Sequence, residues 1–310
     1  MQYFPLWRLI LKPLFWVRTP SIWWRMKYFV RGPQLFCVNQ GPISNTRIIF
    51  RNSQFTKNQL LGAISIHEDM YLLILHEDNI AHFFHDIFFP LYIIWRNDKK
   101  KIFVSINANQ FQRDFLLSAI GSDYLMFAEH NTAYAFKHLI LVPEGRDLQK
   151  YPNFVEVCKE IKYACFLKNG IQESRTHNIL YGRNELERKN LLGIDRDFLS
   201  KNGIEMVELS KLSFLETITL LSETKNFIYM VGAGVFYLLF LDQTVKVLEI
   251  NPVRNNSWAQ MFGLSNLCNL EVLVSQNIKN TTIAMQGEAV LDSHVIFDDL
   301  IKEAILQLPL

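Results

Sequence analysis

Acid is missing from the first 67 residues: no Asp or Glu precedes Glu68, while nine basic residues do (Arg8, Lys12, Arg18, Arg25, Lys27, Arg31, Arg47, Arg51 and Lys57). With 32 basic and 30 acidic residues overall, the remainder holds 23 against 30, so a formal net charge of +2 hides a basic end and a body of −7. Cysteine is also scarce. Cys37, Cys158, Cys165 and Cys268 form no C-x-x-C pair, which excludes a disulfide framework or a cysteine zinc knuckle and fits a reducing compartment. No apolar run reaches the roughly 18 to 20 residues that span a bilayer, because Arg8, Lys12 and Arg18 break the one aromatic-rich stretch, and no secretory signal is expected. The triplets at Asn255 and Asn280 that fit N-glycosylation therefore carry no weight.

What is present suits a folded chain. At 310 residues and 49% hydrophobic, it can bury one large core or two of about 150 residues each. Residues 1–31 combine six basic residues with nine aromatics, including Trp7, Trp16, Trp23 and Trp24. Such a mixture suits peripheral contact with a membrane surface, where rings sit at the headgroups and cations attract anionic lipid. The alternative is that these rings pack on the first domain, with Pro5, Pro13 and Pro20 breaking any long helix. Confinement of the basic patch to one end, without a recognition motif, argues against nucleic acid.

Residues 32–165 alternate strands (Tyr71 to Leu75, Ile102 to Ile106, His138 to Val142) with helices (Asn79 to Arg96, Phe111 to Ile120). This pattern predicts an α/β layered domain with a largely parallel sheet. The helix from Asn79 carries a polar stripe through a greasy segment: at about 100° per residue, Asn79, His82 and Asp86 share one arc while Phe84, Ile87 and Phe88 lie elsewhere. An imidazole and a carboxylate at i and i+4 can touch, and either can serve as a general base in a partly dry cleft. Asp78 or Asn79 equally suits a helix cap, and His82 a core histidine bonded to a carbonyl. Pro90 is expected to kink this helix or end its regular part.

A helix from Tyr151 to Leu167 leads into a second α/β domain, residues 166–310. Its expected strands are Asn178 to Tyr181, Ile204 to Leu209, Phe227 to Val231 and Val245 to Ile250, with a charged helix containing Arg188 and a capping box at Ser213 to Glu216. Strand, then Gly232-Ala233-Gly234, then a helix from Val235 to Leu241 is a geometry that aims backbone N–H groups at an anion. Glycines in that position also serve close strand-to-helix packing, so both uses stay open.

The ordered set Asn79-x-x-His82-x-x-x-Asp86-x-x-x-Pro90-Leu91, Gly182-Arg183 with Arg188 and Leu191-Leu192, Gly232-Ala233-Gly234, and Val247-Leu248-Glu249-Ile250-Asn251-Pro252 resembles glycosyltransferase family 61, across about two-thirds of the chain. The resemblance implies a GT-B fold of two Rossmann-like α/β domains facing a cleft, with inversion at the anomeric carbon. It implies no cofactor and no metal, only a nucleotide-sugar donor held by the C-terminal domain and a glycan or glycolipid acceptor. Carried onto this chain, Arg183, Arg188 and the Gly232, Ala233 and Gly234 backbone would hold the donor diphosphate, and Glu249 its ribose or sugar hydroxyls. Asp86 would be the general base with His82 as partner or substitute, and Asn79 and His85 would contact substrate.

The chain departs from the family pattern at Val231, where the family has His, at Gly182, where it has Ser, and at Gly193-Ile194, where it has Asn-Glu. These departures motivate one alternative, a non-catalytic sugar-nucleotide-binding or scaffold subunit of a polysaccharide assembly. A second, a metal-dependent hydrolase, starts from His76, Glu77, Asp78, His82, His85 and Asp86. Asp195-Arg196-Asp197 resembles a metal-binding Asp-x-Asp but reads as the acidic start of a helix. The expected setting is cytoplasmic, peripheral on the inner face of a membrane, in surface-polysaccharide synthesis.

Overall fold

A computed structural model describes residues 35–39, 46–50, 64–73, 75, 80–104, 108–129, 133–141, 153–182, 190–252, 257–285 and 288–310. Residues 1–31, Asn79, Arg183 and the helix expected around Arg188 lie outside the described residues. The chain forms two compact units, Met1–Arg146 and Asp147–Leu310.

In the first unit, β1 (Leu35–Asn39) and β2 (Thr46–Phe50) precede β3 (Ile64–Leu73), which runs into helix α1. Helix α1 joins three stretches end to end, Ile80–His82, a π-helical Phe83–Phe88, and Phe89–Asp98. Then come β4 (Lys101–Val104), α2 (Gln110–Ala119), β5 (Leu125–Phe127) and β6 (Ala133–Leu141). The sheet order is β1-β2-β6-β3-β4-β5, with β6, β3, β4 and β5 parallel and the β2 and β1 edge antiparallel. Numbered along the chain, the parallel strands take the order 3-2-1-4, so the chain reverses direction between β3 and β6, the place where doubly wound sheets open a crevice. Strand β4 shows why the sheet is covered on both faces: Ile102, Phe103 and Val104 are all fully buried. Helix α2 begins at a reciprocal capping box, Asn109 with Gln112.

Pro90 shapes α1. It has no N–H to give, and in a regular α-helix its ring would strike the carbonyl of Asp86 four residues back. The expected kink takes the form of a wider turn, in which the Phe89 N–H reaches the Phe84 carbonyl five residues back. Phe83, Phe84 and Phe88 pack on Phe115 of α2, the last with ring centroids 4.7 Å apart and edge on.

The second unit opens with α3 (Phe154–Asn169), followed by β7 (His177–Tyr181), β8 (Leu191–Leu192), α4 (Arg196–Lys201) and β9 (Ile204–Val207). It continues with α5 (Phe214–Ser222), β10 (Thr224–Met230), a 3₁₀ helix (Ala233–Phe240), β11 (Lys246–Asn251) and α6 (Trp258–Met261). Strands β12 (Asn269–Val274), β13 (Ile278–Met285) and β14 (Glu288–Ile296) lead to α7 (Asp299–Leu306). Helix α3 packs within this unit, Phe166 stacking on Phe240 at 6.3 Å.

The main sheet is all parallel, in the order β12-β11-β10-β7-β9. Along the chain this is 2-1-3-4-5, the other common doubly wound order, with its switch between β7 and β10. One face carries Leu180, Ile228, Met230, Leu248 and Ile250 against Ile301 and Ile305 of α7. A separate small sheet pairs β13, β14 and β8. Both units are therefore α/β with parallel-strand sheets, the first carrying an antiparallel edge, and are compatible with a Rossmann-like class. No helix among the described residues is long and apolar enough to cross a membrane.

At the amino end of the main sheet, Arg175 donates to the Ser222 carbonyl and pairs with Asp242 and Glu173, and Lys162 joins the same two carboxylates. Burial pushes the Asp242 carboxyl up, but hydrogen bonds from the Thr244 hydroxyl and N–H, then Lys162 and Arg175, outweigh it and hold the pKa at about 2. A depressed folded-state value stabilises fully above the ordinary 3.8 and is lost as pH falls through about 2. The contribution is below about 2 kcal/mol after solvent screening. Asp242→Asn is expected to flatten the loss of stability in urea titrations as pH falls below about 4. An acid limb as steep as that of the unsubstituted chain would show that other carboxylates govern it.

Candidate functional site

The wide turn of α1 gathers three side chains. Asp86 Oδ2 lies 3.1 Å from His82 Nδ1, and Asp86 Oδ1 lies 2.6 Å from His85 Nδ1. Side-chain exposure separates them: 3% for Asp86 and 8% for His85, against 39% for His82. The His82 contact has hydrogen-bond geometry, whereas the His85 contact is a close ion-pair approach out of line with the ring N–H. The two rings stand 5.1 Å apart at 53°. Regular helix spacing predicts that His85 points away from the stripe; in the structure its Nδ1 reaches the other oxygen of the same carboxylate.

This arrangement distributes chemistry unequally. Asp86 is buried, and its Oδ2 stands in hydrogen-bond geometry to the half-buried His82. A carboxylate accepting from Nδ1–H leaves the Nε2 lone pair of that ring on the outer side, where it can take a proton. The group expected as base is thus buried, and the group expected as its partner is the one that meets solvent. His82, His85 and Asp86 are also the one set among the described residues whose donor atoms, all within 4.8 Å, could hold a cation. His76, Glu77 and Asp78 lie outside the described residues.

In the second unit, the switch point is flanked by Gly182 after β7 and by Val231 and Gly232 after β10. Gly232 has φ 149° and ψ −151°, a conformation open essentially to glycine alone. Gly234 is set by space: a Cβ there would lie 2.8 Å from the Tyr181 ring and 3.2 Å from that of Tyr229. At Gly182 a Cβ would meet only the flexible end of Met206, 2.4 Å away. Ala233 is half-buried, and its N–H and that of Gly234 open a 3₁₀ helix, where the first donors lack an intrahelical acceptor. Val231 is buried, at 3% exposure, so this position offers no polar side chain to a ligand.

Glu249 is fully buried and accepts from the Tyr229 hydroxyl, its register partner on β10. Burial pushes its carboxyl above the ordinary range, and Tyr229, Ser257 and the Ala259 N–H hold it only partly down. Burial of the neighbouring Cys268, and after that the Glu249 carboxyl, push its thiol up to about 12. The sequence singled out Glu249 without Tyr229, although a tyrosine on the adjacent strand of a two-face-buried sheet needs a polar partner. Asp195 is committed elsewhere: it caps α4 by accepting from Phe198 N–H at 2.9 Å and pairs with Lys302 at 2.7 Å.

No protein-family model matches the chain, and no curated protein matches it. The likeness to family 61 accordingly stands on the motifs themselves.

A raised folded-state pKa for Glu249 means the folded state binds more protons than the unfolded one above the ordinary 4.5, so stability falls as pH rises through that window. Glu249→Gln keeps a hydrogen-bonding side chain of the same size and is expected to remove this fall, measured by denaturation from pH 4 upward. A pH profile unchanged by the substitution would place the carboxyl in a polar environment.

Proposed function

We propose that the chain is an inverting glycosyltransferase, transferring a sugar from a nucleotide-sugar donor to a hydroxyl of a glycan or glycolipid acceptor. The observation that carries this reading is the His82–Asp86 dyad on the helix that follows the first parallel strand, with one imidazole edge exposed. The finer arrangement it entails is GT-B-like, the first unit serving the acceptor and the second the donor.

In this reaction the acceptor oxygen attacks the anomeric carbon as its proton passes to His82 Nε2. The new glycosidic bond forms as the bond from that carbon to the donor phosphate breaks, and the nucleoside diphosphate leaves with the electron pair. Asp86 stabilises the imidazolium that results. Backbone N–H groups at Ala233 and Gly234, with Arg183 and Arg188, are assigned to the departing diphosphate. Guanidinium groups in that role neutralise the leaving group without a divalent cation, and no cofactor is called for. Residues 1–31 are assigned to an anionic membrane surface on the cytoplasmic side, where a lipid-linked acceptor would be met. Val231 favours the second reading, a subunit that binds sugar nucleotides without turnover, because it removes a polar donor contact from the glycine turn.

Two measurements decide. A panel of nucleotides and nucleotide sugars is expected to yield one that raises the melting temperature equally with and without EDTA; no stabilisation by any would overturn the donor assignment. With that donor, His82→Ala is expected to lower kcat by about 10²- to 10⁴-fold with little change in donor affinity, as for loss of a general base. Near-normal turnover in His82→Ala would move the base elsewhere, and donor binding without turnover in the unsubstituted chain would establish the second reading.

A further inference from the structure

We propose that His82, His85 and Asp86 form a binding site for one borderline divalent cation of the zinc class, and that occupancy blocks the base. The blocking half rests on the transferase reading; the binding half does not.

Three features point to the site. First, all three donors come from one turn of α1 and converge within 4.8 Å, with both Nδ1 atoms already turned toward the two oxygens of one carboxylate. Tetrahedral zinc with bonds of about 2.0–2.2 Å places its ligand atoms roughly 3.3 Å apart. Each residue gives one ligand atom, so with a single Asp86 oxygen the three donors, now within 4.8 Å of one another, close toward that spacing by side-chain rotation. Second, exposure is graded: Asp86 and His85 are buried, while His82 meets solvent. Three protein ligands with an entry path and an open fourth position are what an exchangeable zinc site needs, in contrast to a closed structural one. Third, two neutral imidazoles and one carboxylate suit Zn²⁺ and its neighbours, whereas Mg²⁺ and Ca²⁺ require oxygen-rich sets.

Inhibition follows from the tautomer. A ring bound through Nδ1 carries its proton on Nε2, so the outward nitrogen of His82 becomes a donor and no longer accepts a proton from an acceptor hydroxyl. The cation thus competes with the arrangement that makes His82 a base. EDTA is expected to raise turnover of a preparation carrying trace zinc.

The test is calorimetric titration of the chelator-stripped full chain with ZnCl₂, MgCl₂ and CaCl₂. One equivalent of Zn²⁺ and no Mg²⁺ or Ca²⁺ is expected to bind. His82→Ala, at an exposed position and checked for an unchanged melting curve, is expected to bind Zn²⁺ at least 10-fold more weakly, and His85→Ala likewise. Co²⁺ is expected to give the intense visible bands of a tetrahedral site, lost in His82→Ala. Absence of stoichiometric Zn²⁺ binding would overturn the proposal, as would equal affinity in His82→Ala, which would place the cation elsewhere. These readouts need no turnover, so they fail separately from the transferase reading, whose own test is donor binding. Where turnover is measured, full activity at saturating Zn²⁺ would remove the blocking half.

Discussion

A buried carboxylate is the constraint on which the first unit turns. Asp86 is 2% exposed, and leaving such a group charged without compensation would cost several kcal/mol. The compensation is local: His82 Nδ1 stands in hydrogen-bond geometry to one oxygen and His85 Nδ1 approaches the other, both from the same helix. Pro90 shapes that helix, because the proline cannot continue the hydrogen-bond ladder through the Asp86 carbonyl and the wider turn relieves the clash. Backbone and site chemistry are in this sense one feature, and a side chain that loses a partner here affects both.

The two sheets place their special backbone at equivalent points of a doubly wound plan. In the first unit the strand before the switch leads toward α1; in the second, β7 and β10 part around Gly182 and Gly232. Strand carboxyl ends at a switch point are where adjacent loops diverge, so a cleft forms without removing core. The two glycines of the second turn answer different demands. Gly232 is fixed by a dihedral angle, Gly234 by two tyrosine rings. A glycine pattern read as an anion cradle is therefore also, at one of its positions, a packing requirement.

How legible this was depended on the range of the forces involved. Strands buried on both faces, such as Ile102 to Val104 and Phe227 to Met230, announce themselves as apolar runs, and the Ser213 to Glu216 capping box is a local hydrogen-bond pattern that the structure repeats. The amino half of β3 was hidden by His67-Glu68-Asp69, three exposed residues in a row that break strand alternation; the sheet absorbs them with a register shift between Ile66 and Asp69. β8 has two residues and owes its pairing to β14, a partner about a hundred residues away, so no local signal marks it. The eight residues from Ala233 were legible as a helix but not as a 3₁₀ helix, a choice made by burial on all sides. Of the candidate site, the His82–Asp86 spacing was readable from periodicity. The inclusion of His85 was not, because adjacent residues on a helix point about 100° apart and only their side-chain conformations bring the two together.

Two buried or half-buried carboxylates in the second unit show how position along the strands sorts polar chemistry. Asp242 sits at the amino end of β11, beside Arg175 and Lys162, and is held ionised. Glu249 sits near the carboxyl end of the same strand among Tyr229, Ser257 and Cys268, and burial raises its carboxyl above the ordinary range. The first is met by two cations, Arg175 and Lys162, at a half-exposed edge. The second is met by the hydroxyl of Tyr229, its register partner, whose ring also closes on the Gly234 position, so the packing that buries this carboxyl is the packing that demands that glycine.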